Sequence, residues 1–235
     1  MNKLKCIQMI NSENHQTNYS KDLLVITSDY EAFVKEKASN FYSKRFLDII
    51  FSLIILIIFF PIMILISLLI KISSNGEIIY KQERITLNEK KFQMYKFRTM
   101  YKDAELLSGP IFADDNDKRC TKIGLILRKT SLDELPQFIN VLKGEMSIVG
   151  PRPERPFYVE KFKNEFKDYS KRHIVKSGIT GLAQVNGLRG KTSIEKRLSY
   201  DLEYISNITL RLDIKIIFLT LKTIITDIYS LFIKN

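Results

Sequence analysis

The order of apolar and polar positions divides the chain into three stretches, of which the middle one is the plainest. From Ile49 to Ile70 no charged residue occurs over 22 positions, long enough for a helix to cross a ~30 Å hydrocarbon layer. Lys44, Arg45 and Asp48 stand before it and Lys71 after it. Pro61 falls near the middle, where its ring removes a backbone donor and crowds the preceding turn, so a kink or break is predicted there. Both flanks are rich in Lys and Arg, which draws both ends to the cytoplasmic side. A helix broken at Pro61 that enters one leaflet and turns back meets both pulls. Composition alone also allows a single spanning helix, since membrane helices tolerate prolines.

Before this stretch, residues 1–43 read as a polar, variable extension. It holds one apolar run at 23–26 that suits a strand, a helical pattern over 30–38 and no secretory cleavage signature. After it, residues 72–235 read as a basic domain. Glu77 to Tyr80 and Lys91 to Arg98 mix apolar and charged positions in strand fashion about a turn at Leu87 to Lys90, predicting a hairpin. Lys96 and Arg98 share a side of its second strand, either as solvated charges or as a pair of phosphate contacts. The acidic loop at 113–117 lacks the glycine and terminal glutamate of a calcium loop and reads as a linker.

Glu154 to Arg172 predicts a helix with Tyr158, Phe162, Phe166 and Tyr169 on one side, facing either a core or a membrane interface. The glycine-punctuated segment 177–192 suits close backbone approach to a ligand. Its Gly190-Lys191-Thr192 resembles the end of a P-loop, but Val185 stands where the first glycine belongs, which excludes that reading. Arg211 to Ile233 predicts a long amphipathic helix lying in the headgroup layer, with Arg211, Lys215 and Lys222 on one side.

Composition narrows the partners. The net charge of +11 attracts anions, whether nucleic acid, anionic lipid or phosphorylated small molecules. Tryptophan is absent and no nucleic-acid-binding signature appears, so the long apolar stretch shifts the weight to lipid and nucleic acid is not expected. The 2 cysteines, Cys6 and Cys120, form neither a disulfide framework nor a zinc pattern. With only 2 histidines, a bound metal is expected to be a hard cation on carboxylates.

The candidate chemistry concentrates between Arg128 and Pro153. Asp133 and Glu134 stand at the expected start of an amphipathic helix, where side chains one residue apart diverge by ~100° and can take different tasks. Ser131-x-x-Glu134 also has the spacing of a capping box. Both roles are open on these residues, because a helix N-terminus that favours a carboxylate also favours a carboxylate nucleophile or magnesium ligand. Arg128 and Lys129 precede the pair, and Arg152 lies between two prolines about twenty residues on.

Taken in order, Lys44-Arg45 before a proline-interrupted apolar segment, Tyr-Lys-Phe-Arg-Thr-Met at 95–100, Ser-Leu-Asp-Glu-Leu-Pro-Gln at 131–137, Val-Gly-Pro-Arg-Pro at 149–153 and Gly-Ile-Thr-Gly-Leu-Ala-Gln-Val-Asn-Gly at 178–187 resemble the bacterial sugar transferase family. These are the short-form, monotopic polyprenyl-phosphate phosphoglycosyl transferases. The resemblance implies an α+β architecture: a re-entrant, proline-broken membrane helix over 44–71, then a small, mainly helical cytoplasmic catalytic domain with a short β-hairpin and interfacial amphipathic helices. It implies transfer of a sugar 1-phosphate from a UDP-sugar to undecaprenyl phosphate, with release of UMP and with magnesium, at the cytoplasmic face of the bacterial inner membrane. In the family pattern Asp133 is the nucleophile that forms a phosphosugar intermediate and a metal ligand, and Glu134 assists deprotonation of the lipid phosphate. Lys96, Arg98, Arg128, Arg152 and Gln184 match positions that handle phosphate and uridine, and Lys44, Arg45 and Pro61 match the membrane hairpin. Self-association is left open. The competing expectation is a non-catalytic, membrane-tethered protein whose basic face holds lipid or an assembly partner.

Overall fold

The computed structural model describes residues 41–104 and 117–233, with the single positions 32, 109 and 111. The strand expected at 23–26 and the acidic loop at 113–116 lie outside the described residues, as does the helix at 30–38 except for Ala32. The first element, helix α1 (Phe41–Ser73), holds 33 residues. It begins before and ends after the expected membrane segment. Its helical assignment runs through Pro61 without interruption, so of the kink or break expected there a break is not seen. The physical reason is that a proline forfeits one hydrogen bond, while the turns on either side keep theirs.

Beyond α1 the chain folds as β1 (Ile79–Ile85), β2 (Lys91–Phe97), α2 (Lys122–Lys129), α3 (Gln137–Lys143), β3 (Ser147–Val149), α4 (Pro156–Glu165), β4 (Gly178–Thr180), α5 (Leu182–Val185), α6 (Ile194–Ser206) and α7 (Leu210–Ile233). Strands β1 and β2 form the expected antiparallel hairpin, with Tyr80 opposite Lys96. The turn between them places Asn88 and Glu89 at positive φ. Strands β3 and β4 pair in parallel, Ser147 opposite Gly178 and Val149 opposite Thr180.

Three apolar clusters hold these parts together. The largest joins Phe92 and Met94 of β2 to Val141, Ile148, Val149, Tyr204, Ile205 and Ile216. A second seats Ile66 and Ile70 of α1 against Phe97, Leu127 and Leu135. The third collects Ile85, Val159, Phe162, Tyr169 and Leu198. The aromatic stripe of segment 154–172 therefore faces a core, with Phe162 and Tyr169 in edge contact at 5.5 Å. Its helix is shorter than the sequence suggests, since Pro156 fixes the first turn and a 3-10 segment at Tyr169–His173 takes over after a gap.

Along α1 the buried positions are Asp48, Ser52, Ile66 and Ile70, which recur at helical spacing and turn one stripe to the domain. The remaining face is bare: Ile57 is 72% and Phe60 61% exposed. Helix α7 does the same with Phe218, Leu221 and Ile225. An apolar surface this continuous is not left to water by a stable protein, and α1, long and apolar enough to cross a membrane, fits membrane association.

Candidate active site

The site begins with how α3 is entered. The capping box expected at Ser131 does not form: Ser131 sits at φ 56 with no side-chain cap, residues Leu132–Glu134 make one 3-10 turn, and α3 starts only at Gln137. Glu134 is drawn elsewhere. Its Oε1 accepts from Lys96 Nζ at 2.7 Å and from Arg152 Nη2 at 2.6 Å, so it does not reach back to an amide. Asp133 lies beside it, its Oδ2 3.8 Å from the same Lys96 Nζ.

Each of these partners is held from behind. Asn140, fully buried on α3, accepts from Tyr95 N at 3.0 Å and donates to Gln93 O at 2.8 Å, locking α3 to the strand that carries Lys96. Arg172 donates to the Arg152 carbonyl at 2.9 Å and to Asp201 Oδ2 at 2.7 Å, with Tyr169 accepting a third bond. Glu154 receives Arg197 at 2.7 Å and Arg84 at 3.6 Å, and Arg84 also donates to the Pro153 carbonyl. The loop around Arg152 is thus clamped by three guanidinium groups, those of Arg172 and Arg197 buried and that of Arg84 half-buried. Glycines complete the clamp, because a Cβ on Gly178 would collide with the Gly150 amide and one on Gly181 with the Gly150 carbonyl. In place of a ligand, the backbone that approaches this glycine-punctuated segment is that of the neighbouring loop.

Asp133, Lys96, Arg98, Arg128 and Arg152 all line one cleft of about 1670 Å³, together with Arg155, Arg189 and Arg197. Arg128 reaches it from the last turn of α2, which is N-capped by Thr121 and packed through Gly124 onto the Thr99 backbone. Arg98 enters after β2 and donates to Ser74 O at 2.8 Å, which ties the cleft floor to the end of α1. Glu134 and Gln184 are not among the lining residues. Gln184 is buried beneath, donating to the Ile179 carbonyl at 3.0 Å. Lys44 and Arg45 are not among the lining residues and bond to the protein: Arg45 caps α3 at the Val141 and Leu142 carbonyls, and Lys44 bonds Val149 O and Asp213.

The two carboxylates are driven apart electrostatically. Burial pushes Asp133 up from 3.8 to about 6, with Lys96 opposing and the neighbouring Glu134 charge adding to the rise. Burial acts on Glu134 too, but Arg152 and Lys96 overcome it and hold Glu134 well below the usual range. The result is one more basic carboxylate facing the cleft and one carboxylate kept charged by the cations it holds. Among the described residues no group of three or more His, Cys, Asp or Glu side chains comes together. Asp133 is one of four carboxylates that line the cleft, with Glu77, Asp103 and Glu154, and it stands among the cations there, which suits magnesium, an ion usually bound by one or two carboxylates plus substrate phosphates.

Residues 39–227 match the family model described as bacterial sugar transferase. The chain belongs to the bacterial sugar transferase family. This bacterial sugar transferase is 48% identical over 185 residues to UDP-glucose:undecaprenyl-phosphate glucose-1-phosphate transferase of Klebsiella pneumoniae, covering 77% of this chain and 40% of that protein. It is 42% identical over 187 residues to UDP-N-acetylgalactosamine-undecaprenyl-phosphate N-acetylgalactosaminephosphotransferase of Aeromonas hydrophila, covering 79% and 44%. It is 41% identical over 194 residues to exopolysaccharide production protein PSS of Rhizobium leguminosarum bv. phaseoli, covering 78% and 95%. The transferase thus spans well under half the length of the first two relatives and nearly all of the third.

Sequence motifs located Lys96, Arg98, Arg128, Asp133 and Arg152 on the cleft, but not Arg155, Arg189 or Arg197, nor the buried groups that brace it. Asn140, Glu154, Arg172, Arg197 and Asp201 carry no local signature. Only their burial as polar groups reveals them.

Proposed function

We propose that this chain transfers a sugar 1-phosphate from a UDP-sugar to polyprenyl phosphate at the cytoplasmic face of a bacterial inner membrane. The observation that carries the reading is Asp133, a buried carboxylate on the wall of a cation-lined cleft, beside a helix whose apolar face is bare. In the first step an Asp133 oxygen bonds to the β-phosphorus of the donor as the bond to the bridging oxygen breaks, and UMP leaves with that electron pair. In the second, an oxygen of the lipid phosphate bonds to the same phosphorus and Asp133 regains its carboxylate. Lys96, Arg128 and Arg152 offset the negative charge that gathers on the donor. Asp133 would hold magnesium together with donor phosphate oxygens, and the ion, when bound, supplies charge neutralisation. While Lys96 and Arg152 grip Glu134 it is a weak base; drawing those cations onto incoming phosphates frees it to take the acceptor's proton.

The re-entrant course is part of the same proposal. Arg45 near the start of α1 bonds to α3, and Ser74 just past its end bonds to Arg98. Both ends therefore rest on one domain, which supports entry and exit through one leaflet and disfavours a start on the opposite side of the bilayer.

The curated relatives are named for glucose in one case and N-acetylgalactosamine in another. A panel of UDP-sugars is accordingly the test. Membranes bearing this protein should release UMP from at least one of them beyond a single equivalent per enzyme only when polyprenyl phosphate and magnesium are supplied, and Asp133→Asn should abolish release. UDP as the product, or release undiminished in Asp133→Asn, would overturn the assignment.

A further inference from the structure

The opening turns of α1 do more than approach a membrane. Asp48 is 5% exposed although it precedes an uninterrupted apolar run, and its Oδ1 accepts from the Ile148 amide at 3.0 Å. Lys44 donates to the Val149 carbonyl at 2.9 Å and to Asp213 Oδ2 at 2.7 Å. Tyr204 lies within 2.8 Å of Asp213 Oδ1 and 3.2 Å of the same Val149 carbonyl, closing the cluster from α6. Strand β3 is only three residues long and pairs with the equally short β4. The Ile148 amide is bonded by Asp48 of α1 and the Val149 carbonyl by Lys44 of α1 as well as by Tyr204, and three residues after Val149 comes Arg152, which reaches Glu134.

We infer that Lys44 and Asp48 are positioning residues of the transferase site: they complete β3 and thereby fix the Val149-to-Arg152 loop against the Asp133 cleft. The inference rests on the proposed transfer reaction for its kinetic consequence, while the structural tie stands apart from it. An anchor alone would need apolar surface and basic ends. It would not need a buried carboxylate on a strand amide, since a buried acceptor left unpaired costs more than an apolar residue in its place. Asp48 and Lys44 together thus link the membrane helix to the arginine loop through two backbone groups, the nearer of which lies three residues from Arg152.

The test uses the full-length protein in detergent micelles, where membrane targeting no longer matters. Wild type is compared with Asp48→Ala, which removes the acceptor, with Asp48→Asn, which keeps an acceptor oxygen, and with Lys44→Met. Two readouts are taken on each folded preparation. One is the exchange rate of backbone amides over 147–152. The other is the burst of UMP release from the UDP-sugar without lipid acceptor, which reports the first half-reaction alone. For Asp48→Ala and Lys44→Met the expected result is exchange accelerated by about tenfold or more and a burst rate reduced about tenfold, the scale of one buried hydrogen bond. The loss should appear in the maximal rate more than in the donor concentration for half-saturation, and Asp48→Asn should restore most of it. Unchanged exchange and burst in both Asp48→Ala and Lys44→Met would overturn the inference, as would an Asp48→Asn protein no better than Asp48→Ala. If wild type gives no burst with any UDP-sugar, the transfer reading fails, and the exchange data alone decide whether α1 braces the loop. Should Asp48→Ala prove too unstable to purify, Lys44→Met and the fully folded Asp48→Asn carry the comparison.

Discussion

Replacing Asp133 with Asn should cost the protein its activity and raise its stability. Asp133 is 6% exposed and is lifted from 3.8 to about 6, chiefly by burial. The folded state therefore binds a proton more tightly than the unfolded chain, and stability present below pH 3.8 is lost as pH rises through about 6. At 1.36 kcal/mol per pKa unit, keeping this side chain ionised at neutral pH costs on the order of 3 kcal/mol. Asn has the same shape and no charge to bury. For a chain of this length each kcal/mol moves the melting temperature by about 2–4 °C, so a gain of several degrees is expected at pH 7.5. The gain should shrink as pH falls toward 4, where wild-type Asp133 becomes protonated. Part of it will be lost where the amide NH₂ faces Lys96, whose Nζ lies 3.8 Å from Oδ2. Far-UV circular dichroism of paired melts at pH 7.5 and 4.5 measures both effects, and suits a protein without tryptophan. An Asn protein that melts below wild type at pH 7.5, or a gap that widens on acidification, would refute the argument that burial dominates at this carboxylate.

Three further outcomes follow from groups away from the cleft. Glu89, buried against Lys163 at 3.0 Å and near His173, is held down at about 2 despite its burial; its stabilisation is complete above pH 4.5 and is lost as pH falls toward 2. Glu89→Gln should accordingly lower the acid midpoint's sensitivity to this window and destabilise the neutral protein by about 1–3 kcal/mol, read by denaturant melts. Gly178→Ala drives a methyl group into the Gly150 amide, so a loss of about 3 kcal/mol or failure to accumulate in membranes is expected on quantitative blotting. Asp201→Asn leaves Arg172 buried without the carboxylate charge that faces it, at an expected cost of about 3 kcal/mol, and should weaken donor binding through the Arg152 carbonyl that Arg172 holds.

What the sequence made legible was whatever lies within a few residues of itself. An unbroken apolar run, adjacent carboxylates, an arginine between prolines and a two-stranded turn are all local, and each corresponds to an element of the fold. The clamp was not legible, because its pairs are distant along the chain: Arg197 lies 43 residues from Glu154, Arg172 29 from Asp201 and Asn140 47 from Gln93. Local spacing also misled. Ser131 and Glu134 have the separation of a capping box, but a carboxylate facing two cations gains more from them than from one amide, and Pro136 resets the helix start two residues beyond. Gln184 lies in a motif-rich segment, yet its amide serves the Ile179 carbonyl beneath the cleft.

Helix α1 is moored twice, by Lys44, Arg45 and Asp48 at one end and by Ile66, Ile70 and the Arg98–Ser74 bond at the other. A segment fastened at both ends has little freedom to tilt in response to acyl chains of a different length. The surrounding lipid, not the protein, must then absorb any hydrophobic mismatch, by local thinning or thickening. On the proposed reading, the height of Asp133 above the headgroups is then a fixed dimension of the molecule.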